Sequence, residues 1–254
     1  MLQRPRYLTK KHYFKKWLFR TTAICLASFC CLGFQQEVSA GAEPVPEEQK
    51  TAAVPEYHRA LPTTDVIIDV GHGGIDGGAH YEDLLEKDIN LAVAKKLYSL
   101  LRGYGIRTVL NRDGDYALSD DNRWHSSRSR HKRDLSQRSQ LSGEIHSRLM
   151  VSLHVNWTKN PKRYGPLVLH QDQGESALLA FCIQDALNRQ QNTNRLPVIG
   201  KPFYLLNVVK QPAVIVEMGF ISHAGDRRML TDPGRQQEIA DAIASGVRNY
   251  VLLR

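Results

Sequence analysis

Short runs of apolar, often β-branched residues alternate with amphipathic stretches from Thr64 to the end of the chain. Runs of this length bounded by Gly, Pro, Asn or Asp are typical of strands, and they predict strands at residues 65–70, 107–111, 149–154, 167–170, 203–207 and 213–217. Apolar residues spaced three and four positions apart predict helices at residues 86–102, 135–145, 177–187 and 239–251. Strands that alternate with helices indicate an α/β fold with helices packed on the sheet.

Two helix ends carry local signals. Gly103 and Gly105 follow the first helix, and Asp232 with Pro233 precedes the last one, as a capping residue and a proline do at a helix start.

Between the second and third predicted strands, residues 112–133 are polar, and we predict a surface loop there. This stretch is rich in basic residues, namely Arg123, Arg128, Arg130, Lys132 and Arg133.

The N-terminus resembles an export signal. Residues 1–20 contain seven basic residues and no acidic one, and residues 21–34 form a hydrophobic run of 14. That run has the length of a signal-peptide core and falls short of the roughly 20 residues that span a bilayer as a helix. Small residues before Ala40 fit cleavage after that residue. We therefore predict that the protein is exported and that residues 1–40 are a cleaved signal peptide or, alternatively, an N-terminal membrane anchor.

Residues 41–62 are rich in proline and glutamate and lack apolar periodicity, which predicts a linker before a single domain at residues 63–254.

The formal net charge is +8. Without the seven basic residues of the first 20 positions, 27 basic residues stand against 26 acidic ones, so we predict no nucleic-acid partner. Cys182 is the only cysteine after residue 31, and we expect it to be a small buried hydrophobe without a disulfide.

Four chemically useful side chains follow or end predicted strands or open a helix: His72, Glu86, His154 and Glu217. All four can meet at one edge of the sheet, because working residues collect at the carboxyl ends of strands in open α/β sheets. Two imidazoles and one carboxylate form the ligand set of a catalytic zinc that leaves its fourth position for water. Each residue also has a structural explanation, such as compensation of the helix dipole by Glu86.

Hydrolysis of an amide fits this set of side chains. An amide is a poor electrophile with a poor leaving group, so it requires an activated nucleophile and a proton for the departing nitrogen. Zinc lowers the pKa of its water to about 7 and polarises the carbonyl. Glu217 is the candidate for the proton shuttle, because a carboxylate at a buried strand end is costly unless it is paired or used.

Four motifs stand in order along the chain: DVGHGG at 69–74, LEKDINL at 85–91, SLHVN at 152–156 and VEMGFIS at 216–222. Together they resemble the zinc-dependent N-acetylmuramoyl-L-alanine amidases of the type-3 family, over residues 65–252. The 14-residue step from His72 to Glu86, and the segment at 204–212, are most similar to the sporulation and germination-specific branch.

The resemblance implies a mixed, mostly parallel sheet of about six strands flanked by helices on both faces. It implies that His72, Glu86 and His154 bind Zn²⁺ and that Glu217 is catalytic. The implied reaction is cleavage of the amide between muramic acid and L-alanine in peptidoglycan of the cell wall or the spore cortex, where it precedes formation of muramic-δ-lactam. The branch also implies a lipoprotein or other activator that helps to load zinc.

This chain departs from the family pattern at two positions. Val70 replaces a proline, and His223 replaces an asparagine, which we expect to alter a substrate contact. Glu82 and Asp83 would compete for the metal if the loop had another register. Five further histidines are predicted to be surface or structural residues: His80, His125, His131, His146 and His170.

Three questions stay open at the level of sequence. The arginine-rich segment at 123–133 either binds carboxylates of stem peptides or anionic wall polymers, or is a solvated loop. As an alternative to an amidase, the domain is a non-catalytic wall-binding or regulatory domain that has retained the amidase fold. A zinc carbohydrate deacetylase would use the same metal chemistry.

Overall fold

The computed structural model describes residues 63–118 and 128–254. The predicted signal or anchor, the linker, and the residues Arg123 and His125 lie outside these ranges. The described strands are β1 (Thr64–Val70), β2 (His80–Tyr81), β3 (Leu84–Leu85), β4 (Thr108–Leu110), β5 (Ser147–Asn156), β6 (Leu167–His170), β7 (Val198–Ile199) and β8 (Ala213–Phe220). The described helices are α1 (Glu86–Gly103), α2 (Arg130–Glu144), α3 (Gly174–Gln191), α4 (Tyr204–Val208), α5 (Ala224–Thr231) and α6 (Pro233–Leu252).

Six of the described strands form one sheet in the order β4-β1-β5-β8-β6-β7, and β2 with β3 forms a separate hairpin. β4, β1, β5 and β8 are parallel, while β6 is antiparallel to β8 and parallel to β7. After β1, the chain first forms β4 on one side of β1 and later forms β5 on the other side of β1. This reversal makes a topological switch point at the carboxyl ends of β1 and β5, where α/β proteins bind their ligands.

Helices cover both faces of the sheet, which confirms the predicted fold class. On one face, α1, α3 and α6 pack through residues such as Leu97, Ile183 and Ile243 against alternate strand positions. On the other face, Leu205 and Leu206 of α4 lie in a smaller core, and α2 contributes the half-buried Leu135. Since the parallel strands are buried on both faces, their sequences are nearly continuous apolar runs rather than alternating ones.

Local signals at helix ends act as predicted. α1 ends at Gly103, and Gly105 adopts a left-handed φ of 75° just after it. The Asp232 side chain accepts a hydrogen bond of 2.8 Å from the amide of Arg235, so it caps α6. α3 and α6 pack very closely, because a Cβ at Gly246 would lie 2.6 Å from the Cα of Ile183.

The predicted strand at 203–207 is wrong, because Tyr204–Val208 forms the short helix α4. A short apolar run does not distinguish a strand from a buried helical turn. Here the consecutive Leu205 and Leu206 are both buried in the smaller core, which a helical turn next to the sheet permits.

The prediction of a surface loop at 112–133 is also wrong in two places. Arg112 is only 2% exposed, and residues from Arg130 onward already belong to α2. Carbonyl groups of the protein accept hydrogen bonds from the buried Arg112, and the polarity of the segment alone does not predict this.

Cys182 is half-buried rather than buried, is free, and packs against the larger core. Within residues 63–118 and 128–254, no helix has both the length and the apolar composition needed to cross a membrane.

Candidate active site

The four side chains singled out in the sequence meet at the carboxyl edge of the parallel strands. His72 lies two residues after β1, and Glu86 is the first residue of α1. His154 of β5 and Glu217 of β8 are direct partners in the parallel pairing of these strands. All four line one cleft of about 370 Å³.

His72, Glu86 and His154 each direct one ligand atom toward the others, and these atoms lie within 4.8 Å of one another. His72 Nε2 lies 3.3 Å from Glu86 Oε2, and His154 Nδ1 lies 2.9 Å from Glu86 Oε1. Glu86 thus stands between the two imidazoles. Nitrogen, oxygen and nitrogen donors at this spacing match the three-ligand set of a catalytic zinc.

Glu86 is held as a carboxylate. Burial would raise its pKa, but hydrogen bonds and charge interactions with His154 and His72 hold the pKa well below its usual range. Its oxygens also accept hydrogen bonds from the amides of Ala79, at 2.7 Å, and Val155, at 2.9 Å. A fixed, ionised carboxylate of this kind is ready to ligate a cation.

The pKa values of His72 and His154 are shifted in opposite directions. Burial opposes the charged form of His72, but hydrogen bonds to Asp76 and Glu86 outweigh burial and raise its pKa to about 9. The pKa of Asp76 is in turn lowered to about 2, chiefly by the hydrogen bond with His72. Burial lowers the pKa of His154, and the Arg138 guanidinium, whose Nη2 lies 3.4 Å from His154 Nε2, adds to this effect.

Two glycines leave the space that the ligands need. A Cβ at Gly71 would lie 2.4 Å from His154 Cε1, and one at Gly78 would lie 2.6 Å from Glu86 Oε2. Gly78 also has a φ of 69°, which favours glycine. The backbone therefore approaches the triad closely on two sides, and the residues present fit a small divalent ion such as zinc.

Glu217 differs from the triad, because its carboxylate lacks fixed partners. The residue is 7% exposed, and its Oε2 has no hydrogen-bond partner among the described residues. Burial, together with the negative charge of Glu86, raises its pKa to about 8. A buried, unpaired carboxyl group costs free energy and is a signature of functional sites.

A buried ion pair behind the cleft was missed in the sequence. Arg138 of α2 donates from Nε to Asp69 Oδ1 at 2.7 Å and from Nη2 to Asp69 Oδ2, and Ser152 Oγ also donates to Asp69. Burial would raise the pKa of Asp69, but Arg138 holds it below its usual range. One signal was available, because Asp69 interrupts an apolar strand, and a buried carboxylate requires a cation.

The cleft is also lined by two elements on the face of the sheet that carries the smaller core. His131 and Leu135 come from α2, and Pro202, Phe203 and Tyr204 come from the start of α4 and the two residues before it. His131 was predicted to be a surface or structural histidine, and it is exposed at the cleft wall. Three of the other histidines assigned in this way lie elsewhere: His80 and His146 are exposed, and His170 bonds the carbonyl of Gln171 at 2.6 Å.

The remaining sequence candidates lie outside this cleft. Glu82 and Asp83 are exposed at the turn of the β2–β3 hairpin, so the register places Glu86 at the triad. His223 precedes α5, and its Nδ1 accepts a hydrogen bond from the amide of Asp226, as an asparagine cap would. The amide of Val70, which a proline would lack, donates to Asn111 Oδ1 at 2.8 Å.

The profile of the N-acetylmuramoyl-L-alanine amidase family matches residues 66–249 of this chain. The germination-specific N-acetylmuramoyl-L-alanine amidase of Bacillus subtilis (strain 168) is 33% identical over 195 residues, which cover 75% of this chain and 82% of that protein. The CwlD amidase from Clostridioides difficile, solved in complex with the GerS lipoprotein, has 33% sequence identity and a TM-score of 0.71, with 76% of this chain and 100% of that chain covered.

The catalytic domain of CwlV, an N-acetylmuramoyl-L-alanine amidase from Bacillus (Paenibacillus) polymyxa var. colistinus, has 27% identity and a TM-score of 0.65, with 76% of this chain and 100% of that chain covered. The resemblance drawn from the four motifs is thus confirmed. The chain belongs to the N-acetylmuramoyl-L-alanine amidase family and is a peptidoglycan amidase, a hydrolase that acts on an amide bond.

Proposed function

We propose that this protein hydrolyses the amide between muramic acid and the L-alanine of stem peptides in the spore cortex, before muramic-δ-lactam forms. In this proposal His72, Glu86 and His154 hold Zn²⁺, and Glu217 is the catalytic residue. The observation that carries it is the buried Glu217, whose Oε2 has no hydrogen-bond partner within the described part of the chain, in the same cleft as three convergent ligand atoms.

Zinc held by three protein ligands supplies a Lewis acid that polarises a carbonyl and activates water in its open position. The donor set fits this metal, because two imidazole nitrogens and one carboxylate converge without a cysteine. Hydrogen bonds orient the ligands, since Asp76 accepts from His72 Nδ1, and the amides of Ala79 and Val155 donate to Glu86.

Glu217 performs the proton transfers in this proposal. Its Oε2 takes a proton from the attacking water and delivers it to the amide nitrogen, which leaves as the free amino group of L-alanine. In the metal-free protein the pKa of Glu217 is about 8, because the carboxyl is buried beside Glu86. A divalent cation in the neighbouring triad favours the carboxylate and so prepares Glu217 to act as a base at neutral pH.

The assignment to the cortex rests on similarity, and the cleft offers a surface for a peptidoglycan fragment. One relative at 33% identity is a germination-specific amidase. The exposed aromatic side chains of Phe203 and Tyr204 beside Glu217 offer a flat apolar surface to a sugar ring or a peptide. We place the site of action outside the cytoplasm, with residues 1–40 as a signal peptide or anchor, residues 41–62 as a linker and residues 63–254 as the catalytic domain.

A lipoprotein partner is part of the proposal, because the CwlD amidase was solved in complex with the GerS lipoprotein. Such a partner would act on zinc loading or on the cleft walls. The arginine-rich segment is proposed to attract carboxylates of stem peptides, since Arg130 is exposed beside His131 at a pocket that adjoins the cleft.

The test is digestion of purified cortex and vegetative wall by the zinc-loaded protein. We expect new L-alanine amino termini, no release of acetate, and loss of release in Glu217→Gln with zinc content unchanged. Glu144→Gln, an exposed glutamate at the end of α2, is the matched control and is expected to keep full activity. Acetate release without new amino termini would indicate a deacetylase and refute the proposal.

A further inference from the structure

His72 is held in an unusual backbone conformation. Its φ is 61°, in the left-handed region that a non-glycine residue rarely adopts. The loop that follows is closed by a two-way bridge, in which the amides and carbonyls of Gly73 and Asp76 pair at 3.0 and 3.1 Å. The loop thus turns back on itself and brings the Asp76 side chain to the ring of His72.

Asp76 makes two side-chain hydrogen bonds that converge on the triad. Its Oδ2 lies 2.9 Å from His72 Nδ1, and its Oδ1 accepts from the amide of Gly78 at 3.1 Å. Gly78 is the residue whose missing Cβ leaves room for Glu86 Oε2 and for the His72 ring. One carboxylate therefore holds both a ligand and the backbone that packs against it.

The bond to Nδ1 determines which nitrogen of His72 faces the other ligands. In the neutral ring that can ligate a cation, a hydrogen bond from Nδ1–H to a carboxylate leaves the lone pair on Nε2, and Nε2 is the atom that lies 3.3 Å from Glu86 Oε2. If Asp76 were absent, the ring could rotate about its last torsion or carry its proton on Nε2. Either change removes a donor atom from the triad.

We infer that Asp76 is a positioning residue, which fixes the orientation and tautomer of His72 and thereby sets the affinity of the triad for zinc. This inference rests on the proposed function, because it takes His72 as a ligand. Partners of this kind behind a ligating histidine typically contribute about 10- to 100-fold in metal affinity.

Asp115, which follows β4, offers a matched control because it contacts the same glycine loop. Its Oδ1 accepts from the amide of Gly74 at 2.8 Å, and its Oδ2 pairs with Lys87 at 2.7 Å. Asp115 therefore supports the glycine loop as Asp76 does, with none of its hydrogen bonds going to His72, Glu86 or His154. A purely structural role in the loop would make the two aspartates equivalent.

The experiment measures zinc affinity of the purified full chain by competition with a chromogenic chelator, together with the visible spectrum of the Co²⁺-loaded protein and the thermal midpoint after EDTA treatment. For Asp76→Ala we expect zinc affinity to fall about 10- to 100-fold and the Co²⁺ spectrum to change. Asp76→Asn, whose amide oxygen still accepts from Nδ1, is expected to recover part of the affinity. Asp115→Ala is expected to keep the parent affinity and spectrum even where the thermal midpoint falls.

Parent-like zinc affinity in Asp76→Ala, or an equal loss in Asp115→Ala, would overturn the inference and leave the proposed function intact. His72→Ala separates the two ideas. If the parent binds zinc no better than His72→Ala, then His72 is not a ligand, and both the proposed function and the role of Asp76 are refuted.

Discussion

Replacing Glu217 by glutamine is expected to change how the stability of the metal-free protein depends on pH. The substitution keeps the shape of the side chain and removes its ionisation. In the folded protein the pKa of Glu217 is about 8 against an ordinary value of 4.5, because the carboxyl is buried beside Glu86. Each tenfold change in proton affinity corresponds to about 1.4 kcal/mol, so ionisation is about 5 kcal/mol more costly in the folded protein than in the unfolded chain.

The sign follows from the raised pKa. The folded state binds the proton of Glu217 more tightly than the unfolded state does, so the stabilisation is complete below pH 4.5 and is lost as the pH rises through about 8. Glutamine has no such loss. Between these two pH values, the free energy of unfolding of the parent should therefore fall by about 5 kcal/mol more than that of Glu217→Gln.

The assay is urea denaturation in EDTA, followed by far-ultraviolet circular dichroism at closely spaced pH values. His72 contributes a parallel loss in both proteins, because its pKa is also raised, to about 9, so the difference between the two curves isolates Glu217. Glu144→Gln, at an exposed position, should follow the parent. Superimposable profiles for the parent and Glu217→Gln would refute the claim that this carboxyl is buried without a compensating partner.

Three further outcomes are expected. Gly78→Ala should lower zinc affinity about tenfold or more in a chelator competition, because its Cβ would lie 2.6 Å from Glu86 Oε2. Gly103→Ala, whose added Cβ would meet no described atom from outside its own helical segment within 4 Å, should bind zinc normally. Phe203→Ala should raise KM for cortex fragments several-fold with little change in kcat, since this residue lines the cleft wall; an unchanged KM would exclude it from substrate binding. Arg138→Met should lower the free energy of unfolding by about 3–5 kcal/mol, because it leaves Asp69 buried without a cation, and adding Asp69→Asn should restore part of this loss. A loss below about 1 kcal/mol, which is typical of an exposed ion pair, would contradict the burial of this pair.

The order of elements could be predicted from local pattern. Residues 65–70, 167–170 and 213–217 have the β-branched, apolar composition of buried strands, and they form β1, β6 and the first part of β8. The start of α6 was equally local, because Asp232 and Pro233 act within one helical turn. Elements whose signals lie inside one segment need no tertiary information.

The segment at 203–207 shows where this stops. Its aromatic and apolar residues fit a strand as well as a helical turn, and the choice depends on the surface against which Leu205 and Leu206 pack. Arg112 is similar, because its burial depends on carbonyls of Val70, Gly71 and Lys87, which its own segment does not contain.

For the candidate site, the sequence by itself determined which residues end parallel strands or open a helix, and hence that His72, Glu86, His154 and Glu217 share one edge of the sheet. Only the tertiary structure decided what surrounds them. The Asp69–Arg138 pair joins positions 69 residues apart, and the lack of a hydrogen-bond partner for Glu217 Oε2 among residues 63–118 and 128–254 is a property of the whole cleft. Local pattern encodes the period and the ends of elements, whereas the burial and charge of a side chain depend on residues that are distant in the chain and adjacent only after folding.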